Sequence, residues 1–292
     1  MKRIILSVLM LAAVCAAWAE EGEDDFGVWG EISAGKEINR KWSAGVDAHF
    51  RTESNSCKLD RWGVGVHAKY KVNKYLRLGA GVEIINGYTR QKVKNWSSAG
   101  WDIDTDEGTA VRKTGYKLTN SYFTPKFRFK FDVTGTMKIG RWVRVSLRER
   151  YRFARVMSVC AMRTKYRKTD TYTATDINNW EWELTDEGEW TSSIVNPKEK
   201  DAYSNHQLRS RLKVEMDKKR MPWHPYVSGE IFNNISDGMD LYKIRMEAGC
   251  GYDINKHHSI SLSYVLTMHH REDEGDFGER LHATSISYDI KF

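Results

Sequence analysis

Apolar and polar residues alternate along most of the chain. Between Trp42 and Arg51, the even positions hold Trp, Ala, Val and Phe, while the odd positions hold Ser, Gly, Asp, His and Arg. A period of two belongs to the β-strand, because successive side chains of a strand point to opposite faces of the sheet. The same alternation recurs in segments 61–72, 76–84, 126–133, 143–153, 208–216, 242–253 and 260–266. We therefore predict strands throughout, many of them longer than the five or six residues usual in soluble proteins.

The connections between these segments are alternately short and long. Short turns are predicted at 36–41, 73–74, 138–141, 217–224 and 255–258. Long links are predicted at 54–60, 88–121, 157–204, 233–240 and 271–280. Three short turns share an Asn, namely Asn39, Asn73 and Asn255, and Asn tolerates the left-handed backbone that hairpin turns use. Short turns on one rim and long loops on the other are typical of outer-membrane β-barrels.

The two faces of the strands differ in a way that favours a membrane barrel. One face is rich in arginine and the other in aromatic residues, whereas a soluble β-sandwich would bury its apolar faces against each other. The chain ends on Ile286, Tyr288, Ile290 and Phe292, spaced by two, which resembles the recognition signal for barrel assembly. We predict an all-β, antiparallel transmembrane barrel of ten to twelve strands in the outer membrane. Its expected partners are outer-membrane lipid and the barrel-assembly machinery.

Ten strong segments and one weaker segment make up the predicted wall. The weaker one runs from Phe26 to Gly35 and places Val28, Ile32 and Ala34 on one face. Eleven strands would leave the two chain ends on opposite rims, whereas bacterial single-chain barrels have even numbers of strands. Either this first segment lies outside the wall, or a further strand has escaped the pattern.

The first nineteen residues have the features of a secretory signal peptide. Lys2 and Arg3 precede an apolar run from Ile4 to Ala17, and Ala17-Trp18-Ala19 is a small-x-small cleavage site. The run is too short for a transmembrane helix, which needs about 20 residues. We expect cleavage after Ala19 and a single barrel domain over 20–292, with the formal net charge falling from +7 to +5.

Composition and cysteine usage qualify this interpretation. The mean hydropathy of −0.62 would suit a soluble protein, but every second residue of a barrel strand faces a polar lumen. Cys15 would allow a lipoprotein anchor, although Val14 stands where such sites have a small residue. Cys57 and Cys160 fall at the ends of long loops and could form a disulfide in an exported protein. Cys250 is expected to be free on the lipid-facing side.

The polar strand faces supply the candidate functional residues. The predicted lumen-lining residues are Arg128, Arg144, Arg148, Arg150, Arg152, Arg209, Arg211, Arg245, Glu83, Glu215, Glu230 and Glu247. A small barrel has little free interior, so one interpretation is a lumen plugged by Arg–carboxylate pairs, because buried charge must be paired. The other is a narrow, anion-leaning pore for small solutes, or a binding cavity, because the arginines from Arg144 to Arg152 outnumber the nearby carboxylates.

The long loops carry the opposite charge. Their acids are Asp102, Asp104, Asp106, Glu107, Glu181, Glu183, Asp186, Glu187, Glu189, Glu272, Asp273, Glu274 and Asp276. Their tryptophans are Trp96, Trp101, Trp180, Trp182 and Trp190. Such carboxylates could bind calcium, but EF-hand spacing is absent, which favours solvated surface charge. The tryptophans could stack on glycans or lie at the lipid boundary.

Few residues suggest catalysis. His257-His258-Ser259 and His269-His270 are the dense histidine groups, and no nucleophile motif surrounds Ser259. A barrel lipase or deacylase, with a Ser or His at the lipid-facing rim, is therefore the weaker alternative. We expect no enzymatic activity, no metal and no cofactor. Nucleic acid is not an expected partner, because the basic residues point into a closed lumen.

Several short motifs resemble a known family of outer-membrane proteins, domain-of-unknown-function family 2490. The resemblance covers about residues 25–292. It rests on Asp25-Phe26-Gly27-Val28-Trp29, Ile38-Asn39-Arg40-Lys41-Trp42-Ser43, Leu59-Asp60-Arg61, Asn73-Lys74-Tyr75-Leu76-Arg77-Leu78-Gly79-Ala80-Gly81, Leu147-Arg148-Glu149-Arg150 and Leu208-Arg209-Ser210-Arg211-Leu212-Lys213. The resemblance implies a barrel and its location, and it supplies no catalytic residue. The loops 88–121 and 157–204 are long for the family, and a special function would be expected there.

Overall fold

Seventeen β-strands carry the described part of the chain, which comprises residues 24–53, 56–95, 101–104, 106–176, 181–218, 221–236, 238–270 and 277–292. In this computed structural model the strands are β1 (Asp24–Glu37), β2 (Trp42–Glu53), β3 (Lys58–Lys71), β4 (Leu76–Thr89), β5 (Lys92–Asn95), β6 (Trp101–Asp104), β7 (Thr109–Thr119), β8 (Tyr122–Ile139), β9 (Val143–Val156), β10 (Val159–Asp176), β11 (Glu181–Asp186), β12 (Thr191–Lys200), β13 (Tyr203–Met216), β14 (Trp223–Asn234), β15 (Asp240–Asp253), β16 (His258–His270) and β17 (Phe277–Lys291). The leader 1–19, Trp96, Trp180 and the acids of 272–276 lie outside these ranges. Within them, no helix is long and apolar enough to cross a membrane.

The chain divides into two compact units. The barrel unit comprises the described parts of 1–87, 125–157 and 203–292, and the insert unit comprises those of 88–124 and 158–202. Sequence patterns present 20–292 as one barrel domain with two long loops. The structure gives these loops strands of their own.

Eleven strands form the wall of the barrel unit. Their order around the ring is β1-β17-β16-β15-β14-β13-β9-β8-β4-β3-β2, and the ring is closed. The strands have 12 to 18 residues, more than the 9–11 or so that a tilted membrane crossing needs. The predicted all-β barrel of ten to twelve strands is confirmed.

The barrel closes through a parallel pair of strands. β1 runs parallel to β17 with Val28 opposite Thr284 and Ala34 opposite Ile290, while β1 pairs antiparallel with β2 on its other side. Both alternatives drawn from the sequence, a first segment outside the wall and a further wall strand, are therefore wrong. An odd number of strands of alternating direction leaves the first and last pointing the same way. Their parallel pairing closes the ring without a twelfth strand.

The outward face of the barrel is apolar and the inward face is polar, as the alternation predicts. The outward Val46 is 53% exposed, Val66 57% and Phe129 49%. Their chain neighbours Asp47 and Lys130 instead line the interior. The alternation therefore sorts lipid-compatible side chains from lumen side chains.

Asn side chains organise three of the short turns. The Oδ1 atom of Asn39 accepts hydrogen bonds from the backbone N–H groups two and three residues ahead, at 2.9 and 2.8 Å. Asn73 and Asn255 make the same pair of bonds at 2.8 to 2.9 Å. Among the described residues only Ser56 and Met239 have a positive φ outside glycine. The repeated Asn thus acts as a side-chain acceptor, as in Asx turns, and the expected left-handed backbone is not used.

The insert unit is a six-stranded sheet with β10 at its centre. β10 pairs with β7 on one side, and on the other with β12 and then β11. β7 in turn pairs with β5 and β6. Tyr116 stacks on Tyr166 with ring centroids 4.7 Å apart, and Trp190 packs against Tyr116 at 5.5 Å. Both faces of β7 and β10 carry threonine, tyrosine and charged residues. These strands therefore lack the alternation of apolar and polar residues and were not predicted from it.

The cysteines do not form the disulfide considered from the sequence. Cys160 is exposed with a free thiol, so it is not bridged to Cys57. Cys250 is a free, half-buried thiol on the outward face of β15, as expected.

Candidate functional site

The barrel unit encloses a cavity of about 630 Å³ that is lined mainly by charged side chains. Fourteen Lys and Arg residues line it, against nine Asp and Glu residues. The lining therefore carries an excess of five positive charges when all groups are ionised. Such a lumen must either pair its cations internally or attract anions.

Glu83 on β4 holds one centre of this charge network. It is 4% exposed, and its Oε2 accepts a hydrogen bond from Arg128 Nη1 at 2.9 Å. Its Oε1 lies 3.3 Å from Lys130 Nζ and 3.4 Å from His49 Nδ1. Because these partners come from β2 and β8, a single carboxylate ties three strands together across the lumen.

Glu230 on β14 is the second centre and contacts three guanidinium groups. It is also 4% exposed. Its Oε2 is 2.6 Å from Arg209 Nη2 and 3.7 Å from Arg245 Nη1, and its Oε1 is 3.2 Å from Arg148 Nη2. These contacts join β9, β13, β14 and β15. Charge-assisted Arg–carboxylate bonds of this kind are the strong ones.

Further pairs follow the lumen toward the short turns. Arg211 Nη2 lies 2.9 Å from Glu247 Oε2, and Tyr226 donates a 2.6 Å hydrogen bond to Glu247 Oε1. Lys213 Nζ lies 2.6 Å from Glu215 Oε2. Arg150 forms an ion pair with Asp132. The pairing that the plugged-lumen interpretation requires is therefore present in both halves of the cavity.

Of the twelve residues predicted to face the lumen, eleven line the cavity. The exception is Arg144, which lies near the short-turn rim, 3.5 Å from Glu215 and 2.5 Å from Asp217. Lys138 Nζ also lies 2.5 Å from Asp217. The hydrogen bond from Lys138, aided by Arg144, lowers the pKa of Asp217 below its usual value.

Sequence reasoning missed two aromatic side chains and several cations of the cavity. Trp29 and Phe232 are buried inside it, with Arg51, Arg61 and Lys243 around them. Arg51, Arg61 and Lys243 fall on polar faces of the alternation, so their inward direction was readable. Trp29 alternates with Val28 on the same face as Glu31 and Ser33, so its inward direction was readable too, although an aromatic residue in a membrane strand is ordinarily expected to face outward.

Three lumen residues resemble a metal site in composition. Ligand atoms of Asp47, His49 and Glu83 all lie within 4.8 Å of one another. However, Glu83 already contacts Arg128 and Lys130, whose charges would repel a divalent cation. Occupied carboxylates of this kind do not offer the ligands that such an ion needs.

Comparison with known proteins is informative at the level of the family. The model of the family described as Protein of unknown function (DUF2490) matches residues 26–277. The chain belongs to the DUF2490 family. No curated protein matches. Among solved structures, the translocator domain of the autotransporter NalP from Neisseria meningitidis is similar over 91% of this chain and 90% of that chain, at 7% identity and a TM-score of 0.28. A likeness that weak carries no functional inference.

The dense histidines of this DUF2490 protein have structural partners. His257 Nδ1 is 2.8 Å from the backbone oxygen of Lys291, and His258 Nδ1 is 2.9 Å from Tyr288 Oη. Both contacts tie the turn before β16 to the last strand. Ile286, Tyr288 and Ile290 alternate on β17 with Ser285, Ser287 and Asp289, which line the cavity, so they face outward. Phe292 is 71% exposed. The accessible terminal residue is compatible with a recognition signal, which stays a prediction.

Polar side chains on the outward face of β9 and β13 bear on the possibility that this barrel is a lipase. Ser210 Oγ donates a 2.5 Å hydrogen bond to Glu149 Oε2, and His206 Nδ1 lies 2.7 Å from Tyr151 Oη. Ser210 and His206 are four residues apart on one strand, about 13 Å at the usual rise of about 3.3 Å per residue. A hydroxyl nucleophile needs its base within hydrogen-bond reach. These groups therefore do not assemble a Ser–His pair.

Proposed function

We propose that this DUF2490 protein is an exported outer-membrane barrel, without catalysis, whose lumen is closed by ion pairs. Its proposed role is a structural one or the binding of a ligand. The main support for a closed lumen is that Glu83 and Glu230 are buried, each in contact with cations from neighbouring strands. Ion pairs at this depth cross-link the wall through its interior.

The outward face supports the membrane location. Large apolar side chains are exposed along successive strands, and soluble monomers rarely expose a contiguous apolar patch above a few hundred Å². Near the short-turn rim, Trp42 packs on Tyr70 with centroids 4.8 Å apart, and Trp223 packs on Tyr252 at 4.4 Å. Aromatic girdles of this kind lie at membrane–water interfaces.

The insert unit supports a binding role. β11 carries the exposed acids Glu181, Glu183 and Asp186, and Trp190 is exposed nearby in the same unit. Acidic sheet surfaces with accessible Trp rings suit polar ligands such as glycans, which stack on aromatic faces. The barrel would then anchor this surface at the membrane.

Conductance in planar lipid bilayers tests the closed lumen. We expect the reconstituted protein to give no steady single-channel current under conditions in which a porin conducts. The second candidate, a narrow anion-leaning pore, is favoured by the excess of fourteen cations over nine acids in the cavity lining. A steady current would contradict the closed lumen. If its reversal potential in a KCl gradient shows that chloride is the main permeant ion, the anion-leaning pore becomes the proposed function.

A further inference from the structure

Seven cations line the cavity inside the barrel, and four of them lie against two aromatic rings. We call them the cationic cluster: Arg51, Arg61, Arg128, Arg152, Arg209, Lys243 and Arg245. Their carboxylate contacts within the described chain are few. Glu83 meets Arg128, Glu230 meets Arg209 and Arg245, and Asp60 meets Arg61. The positive charge of this cluster is therefore only partly compensated.

The rings of Trp29 and Phe232 contact four members of the cluster. Arg51 Cζ lies 3.9 Å from the ring centroid of Trp29, and Arg245 Cζ lies 4.7 Å from it. Phe232 is approached by Arg209 at 4.4 Å and by Lys243 at 4.4 Å. Cation–π contacts of this length are attractive.

Three members of the cluster have no ion-pair partner in the part of the chain that the structure describes, namely Arg51, Arg152 and Lys243. Lys243 lines the same cavity as Arg61, Arg152, Arg209 and Arg245, so its neighbours there include like charges. In addition, the Nε atoms of Arg128, Arg148, Arg152 and Arg209 are buried without a hydrogen-bond partner among the described residues. Buried charges and donors normally find partners, so this arrangement is built for an anion.

We propose that the cationic cluster binds a compact, multiply charged phosphoryl anion, of which inorganic pyrophosphate is the simplest representative. Several guanidinium groups offer paired N–H donors that match phosphoryl oxygens, and a monocarboxylate has too few oxygens to satisfy them. The cavity of about 630 Å³ is large enough for such an anion. This inference goes beyond the binding role proposed for the insert unit, and it rests on the closed lumen.

Calorimetry on the barrel refolded in detergent tests the proposal, with inorganic pyrophosphate as the probe and ionic strength held constant with chloride. We expect one site per chain. Lys243→Gln and Arg152→Gln should each weaken binding at least tenfold. Lys213→Gln is the matched control, because Lys213 also lines the cavity but already contacts Glu215 at 2.6 Å. It should change the affinity by less than twofold.

Thermal unfolding without ligand provides a second readout that a merely structural role would not give. Removing a repelled, unpaired cation should leave the melting temperature of Lys243→Gln unchanged or raised. Removing the paired cation in Lys213→Gln should lower it. Folding of each variant is first checked by gel electrophoresis of unboiled samples, in which a folded barrel migrates faster than the unfolded chain.

Three results would overturn the proposal. The first is equal weakening of pyrophosphate binding in Lys243→Gln and Lys213→Gln. The second is an effect of pyrophosphate that chloride reproduces at the same ionic strength. The third is tighter binding of glycerol 3-phosphate, which represents a lipid headgroup, than of pyrophosphate. Bilayer conductance is measured separately, so an open pore and an absent anion site are distinguishable outcomes.

Discussion

Replacing Glu230 by Gln removes the charge of the most heavily contacted lumen carboxylate and leaves its three guanidinium partners in place. The contacts measure 2.6, 3.2 and 3.7 Å. At an effective dielectric constant of about 20, each is worth on the order of 4–6 kcal/mol of attraction, most of which offsets desolvation. Breaking a buried pair by removing one partner costs about 3–5 kcal/mol. We expect Glu230→Gln to lose that amount of unfolding free energy.

Asp60→Asn is the control for this measurement. Asp60 pairs with Arg61 at 2.8 Å, but the two side chains are 28% and 31% exposed. A solvent-screened pair of this kind contributes about 1 kcal/mol or less. A second variant, Glu230→Gln combined with Arg209→Gln, should recover part of the loss, because it removes one of the stranded cations.

Urea titration of the detergent-refolded barrel measures these differences, with the folded fraction read from the faster band of unboiled samples. A loss of about 1 kcal/mol or less in Glu230→Gln, equal to that in Asp60→Asn, would refute the reasoning. It would mean that water fills the lumen and screens its charges, as in a pore.

Three further predictions concern location, lumen and pH. The protein should fractionate with outer membranes and run faster unboiled than boiled, and deletion of Phe292 should impair assembly while export continues; recovery in the soluble periplasm would contradict this. Arg148→Ala with Arg150→Ala should lower the melting temperature, whereas unchanged melting with altered ion selectivity would support the pore. The pKa of Asp217 is lowered in the folded state by Lys138 and Arg144, so its small contribution to stability is present above the unfolded pKa and is lost as pH falls through the folded pKa. Asp217→Asn should flatten the acid side of the stability profile, and an unchanged slope would contradict the assignment.

The barrel wall could be predicted from the sequence because its strands have one apolar and one polar face. The eleven predicted residues that line the cavity could be identified from the alternation, because every second residue of a wall strand faces the lumen. Strands such as β7 and β10 could not be found in this way, because both of their faces are polar and period-two signals need a contrast between faces.

The partners within the lumen could not be predicted, because they depend on which strands become neighbours. Glu230 reaches Arg148 only because β13 pairs with β9 across the 46 residues numbered 157–202. The parallel closure was equally hidden. The sequence of β1 indicates a strand, but its direction relative to β17 depends on the total number of strands in the ring.

That closure has a topological consequence for the two ends of the barrel wall. Asp24 opposite Arg280 marks the long-loop rim, and Gly35 opposite Lys291 marks the short-turn rim. If the short turns face the periplasm, the wall starts at the cell surface and finishes inside the envelope. Whatever precedes β1 must then be threaded across the bilayer during insertion, a step that even-stranded barrels avoid. An epitope placed just ahead of Asp24 would be displayed to antibodies on intact cells, while one after Phe292 would stay hidden.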